Sequence, residues 1–426
     1  MGDLSIKILG SGREIGRAGI VVRSNKGEIL LDYGASIEPE SPLFPLHYPP
    51  KRLSCIILSH AHLDHSGAIP LMYTSRALPI YLTDLTLEIA DLLIRDFLKI
   101  SGYYIPYEIM ELITMRKCAR IMDYGIDFYI DCFKAKLLNA GHIPGSAMVL
   151  LSYENMHILY TSDFNMVETC LLDPADVGSI NFDELDAIIL ECTYAEYSHP
   201  PRENVEREFI EQIIEVLDND GIVLIPAFAV GRAQEIACVL YKYSIKYPIY
   251  IDGMARKIIY LLTKYNKYSK CNFGEMLRNE NIKIVDGWKT RRRALKEPSV
   301  IITPAGMLKG GAVHFYAKKI IGDRKNAIFL VSYQGAMTPG RDLLTKGKLT
   351  LENSIFDVNA RVYWFDFSSH CGRKELLQFL KLVNPDTKLI LVHVDSAVGS
   401  KFKKEISRNL GLNVSFPKNG DVIKIK

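Results

Sequence analysis

The sequence predicts an α/β protein of more than one domain, with its chemistry on loops that leave the ends of strands. Three observations carry this. A loop crowded with histidines follows the apolar run Cys55-Ile56-Ile57-Leu58; helices and apolar strands alternate from about Arg202 to Val362; and after Val362 strands ending in His or Asp return. Alternation of helix and buried strand reads as a parallel sheet covered by helices.

The first half is read as follows. Ser5 to Leu9 is a first strand, and Gly10-Ser11-Gly12-Arg13-Glu14-Ile15-Gly16 is a glycine-rich turn into a second, Ala18 to Val22. The glycine spacing is wrong for a dinucleotide fingerprint, and no helix follows it. Glu28 to Leu31 is a strand that ends at Asp32. Cys55 to Leu58 is a buried strand. It runs into Ser59-His60-Ala61-His62-Leu63-Asp64-His65, where three of the ten histidines and one carboxylate fall within six positions. Imidazole and carboxylate are the ligand types that suit zinc. Four such groups in so short a loop cannot all reach one ion without strain, so they are read as shared between two adjacent ions. A helix is expected from Gly67, opened by Pro70. Then follow a strand Pro79 to Leu82, an amphipathic helix Asp84 to Ile100 and a helix Tyr107 to Met122. Strands Phe128 to Ile130 and Ala135 to Leu138 come next, the second leading to His142 in a glycine-rich turn. His157 to Tyr160 is a strand ending at Asp163, and Ala187 to Leu190 one ending at Glu191. A lone His or Asp at a strand end is usually structural, but several beside a ligand-rich loop read as one site.

In the second half, helices are expected at Val205–Leu217, Gly231–Tyr243 and Ala255–Tyr265. Strands are expected at Ile222–Ile225, Pro248–Ile251, Ile282–Val285, Val300–Ile302 and Ala327–Val331. The turns carrying Arg232 and Lys309 each lead from strand to helix, where backbone N–H groups can hold a phosphate. Trp288-Lys289-Thr290-Arg291-Arg292-Arg293 is the densest basic stretch and has an aromatic beside it. It suits a phosphate backbone or a solvated helix face. Val362 to Phe365 is a strand before Asp366-Phe367-Ser368-Ser369-His370. Leu389 to Val392 is another, ending at His393, and Val414–Phe416 with Val422–Lys424 closes the chain as a hairpin.

Composition bounds the answer. The chain has 426 residues, enough for two or three domains, and is 48% hydrophobic and 24% charged. A net charge of +3 gives no whole-chain field for nucleic acid. No apolar run approaches the roughly 18 residues of a membrane span, and the opening Met1-Gly2-Asp3-Leu4-Ser5 is not a signal peptide. The eight cysteines show no CxxC pair, as expected of free thiols in a reducing cytoplasm.

His60-x-His62-x-Asp64-His65, followed by His142 and Asp163, resembles the metallo-β-lactamase superfamily, with Asp32 matching its first acidic position. Glu191, His370 in Phe367-Ser368-Ser369-His370, and His393 resemble the further motifs of the β-CASP branch, which processes nucleic acids. The chain resembles archaeal relatives of the cleavage and polyadenylation specificity factor endonuclease subunit, in the short form without a KH domain. His393-Val394-Asp395 departs from the His-Gly-Glu of many relatives but keeps the histidine.

The resemblance implies an αββα metallo-β-lactamase sandwich built from residues 1–195 and 365–426. A Rossmann-like β-CASP domain, residues 196–364, would be inserted as a lid, with the active site in the cleft between. It implies two zinc ions, one on His60, His62 and His142, the other on Asp64, His65 and His393, bridged by Asp163. Asp163 thus counts among the catalytic groups. His370 would be the general acid, Glu191 would orient it, and Asp32 would act through a ligand imidazole. Arg232, Lys309 and Ser369 are substrate-contact candidates. The activity implied is hydrolysis of single-stranded RNA to 3′-hydroxyl and 5′-phosphate ends, mainly endonucleolytic, in the cytoplasm and with no membrane partner. Homodimers and RNA-processing or decay complexes fit the same resemblance. An RNase J-like 5′-exonuclease is the first alternative, and Asp366, where that family carries a phosphate-pocket histidine, argues against it. A non-catalytic RNA-binding scaffold, a small-molecule hydrolase and a DNA nuclease are the others.

Overall fold

The computed structural model describes residues 4–37, 42–101, 104–352 and 354–425. They form two compact units. The first comprises the described residues up to Glu168, Pro174–Ser198 and those from Ser369 onward; the second comprises Thr169–Asp173 and His199–Ser368.

Two seven-stranded sheets make the first unit. One runs, in spatial order, Val422–Lys424, Ser5–Gly10, Gly19–Arg23, Glu28–Tyr33, Cys55–Ile57, Ile80–Leu82 and Ala119–Ile121. The other runs Asn413–Ser415, Lys388–Val392, Ala187–Glu191, Met156–Tyr160, Ala147–Tyr153, Phe133–Asn139 and Asp127–Ile130. Period-two alternation decides which side chains meet. Ile29, Leu31 and Ile57 of the first sheet share a dry core with Leu137, Val149, Leu151, Ile158 and Ile189 of the second. From the opposite face of the second sheet, Leu138, Met148, Leu159, Ile188 and Leu190 pack with Leu376, Phe379, Phe402 and Ile406 of helices Arg373–Leu380 and Ser396–Leu410. Helices Asp84–Ser101 and Ile109–Lys117 join the parallel strands Ile80–Leu82 and Ala119–Ile121, and such a crossover lies on the outer sheet face. The layers are therefore αββα.

Each sheet is antiparallel in one half and parallel in the other. The parallel half of the first holds Glu28–Tyr33, Cys55–Ile57, Ile80–Leu82 and Ala119–Ile121. That of the second holds Met156–Tyr160, Ala187–Glu191, Lys388–Val392 and Asn413–Ser415. Strands in these parallel halves carry Asp32, the His60 loop, Asp163, Glu191 and His393 at or just past their carboxyl ends, where open sheets collect their ligands.

The second unit is built on a six-stranded, wholly parallel sheet in the order Ile282–Ile284, Ile249–Ile251, Ser299–Pro304, Ile222–Ala227, Ala327–Leu330, Arg361–Trp364, with a separate antiparallel pair, Lys348–Leu351 and Ser354–Asp357. Val313, Tyr316, Ala317 and Ile320 of helix Ala312–Ile320 pack on Leu224, Ile301 and Ile328 of its strands.

Several expectations are corrected. No helix opens at Gly67: the helical turn is Leu63–Ser66, inside the histidine loop, and Ile69–Tyr73 is a 3-10 turn. The helix expected to reach Met122 stops at Lys117, because Ala119–Ile121 pairs with Ile80–Leu82 as an edge strand. Ala147–Tyr153 is a central strand that the sequence did not single out. The closing segments are not a hairpin. Asn413–Ser415 adds to one sheet beside Lys388–Val392, whereas Val422–Lys424 adds to the other beside Ser5–Gly10. The strand placed at Val362–Phe365 belongs, as Arg361–Trp364, to the parallel sheet of the second unit.

Candidate metal centre

The histidine loop is held flat against its neighbours by backbone. Ala18 N–H donates to the Asp64 carbonyl at 2.7 Å and Ala35 N–H to the Leu63 carbonyl at 2.8 Å. Gly34 sits where no side chain fits: a Cβ there would lie 1.6 Å from the Asp64 carbonyl oxygen and 2.6 Å from the His65 nitrogen. Gly34→Ala is therefore expected to displace Asp64 and His65. The outcome should be a destabilisation of about 3 kcal/mol, read as a lowered Tm, together with a loss of bound metal in elemental analysis.

Asp32 is fully buried and its carboxylate is saturated. It accepts from Ser59 N–H at 2.7 Å, Ser59 Oγ at 2.7 Å, Tyr160 OH at 2.8 Å and His65 Nδ1 at 2.8 Å. The last bond fixes the His65 tautomer and turns Nε2 inward. His142 is set in the same way, its Nδ1–H reaching the Ser369 carbonyl at 2.8 Å. Ser59 Oγ lies 3.1 Å from His60 Nδ1, and Thr193 Oγ1 lies 3.0 Å from His393 Nδ1. Asp32, Ser162 and His393 all take left-handed backbone, with φ of 56°, 50° and 53°. Such strain in residues other than glycine is maintained at sites that need a side chain aimed.

The inward nitrogens converge on Asp163. Its Oδ2 lies 3.4 Å from His65 Nε2 and 3.7 Å from both His60 Nε2 and His142 Nε2, and its Oδ1 lies 3.6 Å from His393 Nδ1. Donor atoms of His60, His62, His142 and Asp163 all fall within 4.8 Å of one another, and so do those of Asp64, His65, Asp163 and His393. Asp163 belongs to both groups. His62 Nδ1 and His142 Nε2 are 3.1 Å apart, close to the edge of about 3.3 Å expected for two nitrogens on one tetrahedral ion.

The fit to a metal rests on buried atoms. His60 Nε2, His65 Nε2 and Asp163 Oδ1 have no hydrogen-bond partner among the described residues. Leaving several polar atoms orphaned in one place is costly, and a cation removes that cost. Burial pushes the His60, His62 and His142 imidazoles below the ordinary histidine range, which keeps them neutral and able to ligate. Burial also works to raise the Asp163 carboxyl, but the charges of His393, His65 and His370 hold it well below the ordinary carboxylate range.

Beside these groups stands a second constellation. His370 Nδ1 lies 3.1 Å from Glu191 Oε1, and Glu191 Oε2 accepts from Thr193 N–H at 2.9 Å. The His370 ring lies 4.5 Å from that of His142, centroid to centroid. Its side chain keeps 19% exposure against 1% for Glu191. Burial works to lower the His370 imidazole, but the charges of Glu191 and Asp163 outweigh it and raise its pKa.

Of the other candidates, Ser369 contributes its backbone carbonyl to His142. Arg232 and Lys309 belong to the second unit, each beyond the carboxyl end of a strand, Ile222–Ala227 and Ser299–Pro304 respectively. Tyr160, Ser59, Ser162 and Thr193 carry no role that sequence reasoning assigns. A tyrosine at a strand end reads as core, and hydroxyls signal nothing until their partners are placed.

The sandwich fold, two donor groups that share a carboxylate and could each hold a metal ion, and a histidine–glutamate pair fit a metal-dependent hydrolase. Comparison gives the same class. Residues 14–193 match the metallo-beta-lactamase superfamily, 233–343 the Beta-Casp domain and 355–417 the Zn-dependent metallo-hydrolase RNA specificity domain. The chain is 40% identical to the RNase aCSPSF2 of Saccharolobus solfataricus, over 99% of this chain and 85% of the relative. It is 36% identical to the Probable RNase MJ4 of Methanocaldococcus jannaschii, over 99% and 100%. It is 34% identical to the Transcription termination factor FttA of Thermococcus kodakarensis, over 98% and 71%. A crystal structure of a protein of unknown function from Enterococcus faecalis superposes with a TM-score of 0.65 at 16% identity, covering 99% of this chain and 100% of that one, and shares the fold. The chain belongs to the β-CASP family of the metallo-β-lactamase superfamily.

Proposed function

We propose that the chain is a ribonuclease that hydrolyses phosphodiester bonds of single-stranded RNA, mainly at internal positions, with two zinc ions. The observation that carries this is the sharing of Asp163 between two histidine-rich groups with the His370–Glu191 pair alongside. The names of its ribonuclease relatives support RNA as the substrate. The domain layout that goes with this reading is 1–195 and 365–426 for the metallo-β-lactamase domain and 196–364 for the β-CASP domain. The cytoplasm is the proposed location; no described helix is long and apolar enough to cross a membrane.

His60, His62, His142 and Asp163 would hold one ion and Asp64, His65, His393 and Asp163 the other. Bound zinc supplies Lewis acidity toward phosphate oxygens and makes water nucleophilic near neutral pH. The chain's own residues do the rest. Asp32 and the Ser369 carbonyl hold His65 and His142 in the ligating tautomer. Glu191 accepts the Nδ1–H of His370 and stabilises the imidazolium, so His370 Nε2–H can give its proton to the departing ribose 3′-oxygen. Products then end in 3′-hydroxyl and 5′-phosphate.

Asp366 bears on the mode of attack. Its carboxylate is engaged by His199 Nδ1 at 2.7 Å and accepts from Ser368 N–H at 3.1 Å, so it offers an anion, not a donor, to a 5′-phosphate. This supports internal cleavage over 5′-end trimming. The test is one RNA labelled separately at each end, incubated with the wild type, with His62→Ala and with chelator. Internal fragments from both labels, absent with the variant and the chelator, are expected. Mononucleotides released from the 5′ end alone would make it an exonuclease, and intact RNA with metal bound would leave an RNA-binding scaffold.

A further inference from the structure

The basic stretch at Trp288 is not absorbed by this chemistry. It forms a short helix, Trp288–Arg293, in the second unit. Its arginines are not equivalent. Arg291 is committed to the protein: its guanidinium makes a two-pronged ion pair with Asp252, at 2.6 and 3.0 Å. Asp252 is 1% exposed and also accepts from Tyr316 OH at 2.9 Å and Gly253 N–H at 2.6 Å. A buried pair of this kind adds little net stability; what it does is fix a geometry. The fixed guanidinium lies over the Trp288 ring, 5.1 Å from its centroid. The Phe315 ring meets the indole edge-on at 5.3 Å. Phe315 neighbours Tyr316, so both supports of the indole come from the Asp252 cluster.

The indole is thus rigid, yet Trp288 is 60% exposed. An exposed indole held in one orientation offers a face on which a planar ring can stack. Charge says what carries that ring. Lys289, Arg292, Arg293 and Lys296 are exposed within eight residues of the indole in sequence, and Arg292 shares its helix face at i+4. Nearby acids are already engaged, Asp286 by Thr290 Oγ1 at 2.5 Å and Glu297 by Tyr250 OH at 2.6 Å, with Arg293 at 3.6 Å. Lys289 and Arg292 have no ion-pair partner among the described residues. A preorganised aromatic face on a helix that also carries two unpaired cations, Lys289 and Arg292, matches a strand of alternating bases and phosphates.

We infer that Trp288, with Lys289 and Arg292, forms a single-stranded nucleic-acid contact on the second unit, in which a base stacks on the indole and the cations take the flanking phosphates. The inference rests on the proposed ribonuclease reading for its choice of RNA. Only two tryptophans occur, so Trp364→Phe leaves Trp288 as the sole indole reporter. The probe is a 20-nucleotide single-stranded RNA of mixed sequence, added to full-length protein carrying His62→Ala so that the strand is not cut. Quenching of Trp288 fluorescence on binding is expected. Trp288→Ala should weaken binding about tenfold and Trp288→Phe much less, since a phenyl ring still stacks. Lys289→Ala with Arg292→Ala should flatten the logarithmic salt dependence by about 1.4. Each variant is checked for an unchanged Tm and, in the His62 background restored to wild type, for cleavage. Unquenched fluorescence with unchanged affinity in Trp288→Ala overturns the contact, even if RNA is still cleaved. Equal binding of poly-glutamate also overturns it, and points to an acidic protein partner. Absence of both RNA binding and cleavage would instead sink the ribonuclease reading beneath it.

Discussion

His370→Ala is expected to keep its metal and lose about 10²- to 10⁴-fold in cleavage rate. The expectation comes from what His370 touches. Its Nδ1 is turned to Glu191 at 3.1 Å and its ring lies tilted beside that of His142, but it is not in either of the two groups that share His donors around Asp163. His370 keeps a solvent-facing side while Glu191 is closed in beneath it. That suits a group that receives a proton from water and passes it to a substrate oxygen. Because Glu191 is read as acting through His370, Glu191→Gln should also slow cleavage, and adding it to His370→Ala should cost little more. Additive losses would dissolve the pair. Metal missing from His370→Ala would mean that His370 is a ligand and not an acid, in the group its donor atom also forms with Asp163 and Glu191.

Asp163→Ala should have the larger effect on metal. The carboxylate is common to both donor groups. Its removal would take a donor from each group and leave the buried imidazoles around it without the carboxylate they face. Elemental analysis of the purified variant should show both ions depleted, and cleavage should fall to the level of the chelated wild type. His62→Ala is the comparison. His62 serves one group only, so the second ion should be retained in part. If Asp163→Ala and His62→Ala lose the same amount of metal, Asp163 is not shared.

Much of this site was readable because its residues announce themselves. His60, His62, Asp64 and His65 crowd one loop after a strand, and Asp32, Asp163, Glu191 and His393 each stand at the end of an apolar run. Strand ends are legible from hydrophobic pattern, and the pattern places those residues without knowledge of which strands pair. What depends on pairing was not legible. Nothing local distinguishes Ala119–Ile121 from the end of the helix before it; the edge of a sheet nearly 40 residues upstream decides. The closing segments look like a hairpin because they are near in sequence, yet each completes a different sheet, and one pairs with the first strand of the chain. Ser59 bonds Asp32 only once two strands of one sheet are side by side, and Tyr160 only once the other sheet is packed on it. In Trp288–Arg293 the sequence shows five polar or basic residues of equal standing. The buried Asp252, reached through the parallel sheet, separates Arg291 from the rest.

Product-end analysis of one internally labelled RNA, cut by the wild type and by Asp163→Asn, tests the central claim most directly. Water attack at phosphorus with departure of the 3′-oxygen gives fragments with 5′-phosphate and 3′-hydroxyl ends, and Asp163→Asn should give none above the chelated background. Fragments ending in 2′,3′-cyclic phosphate, formed equally by the variant, would place the nucleophile on the RNA itself and remove the metal centre from the reaction.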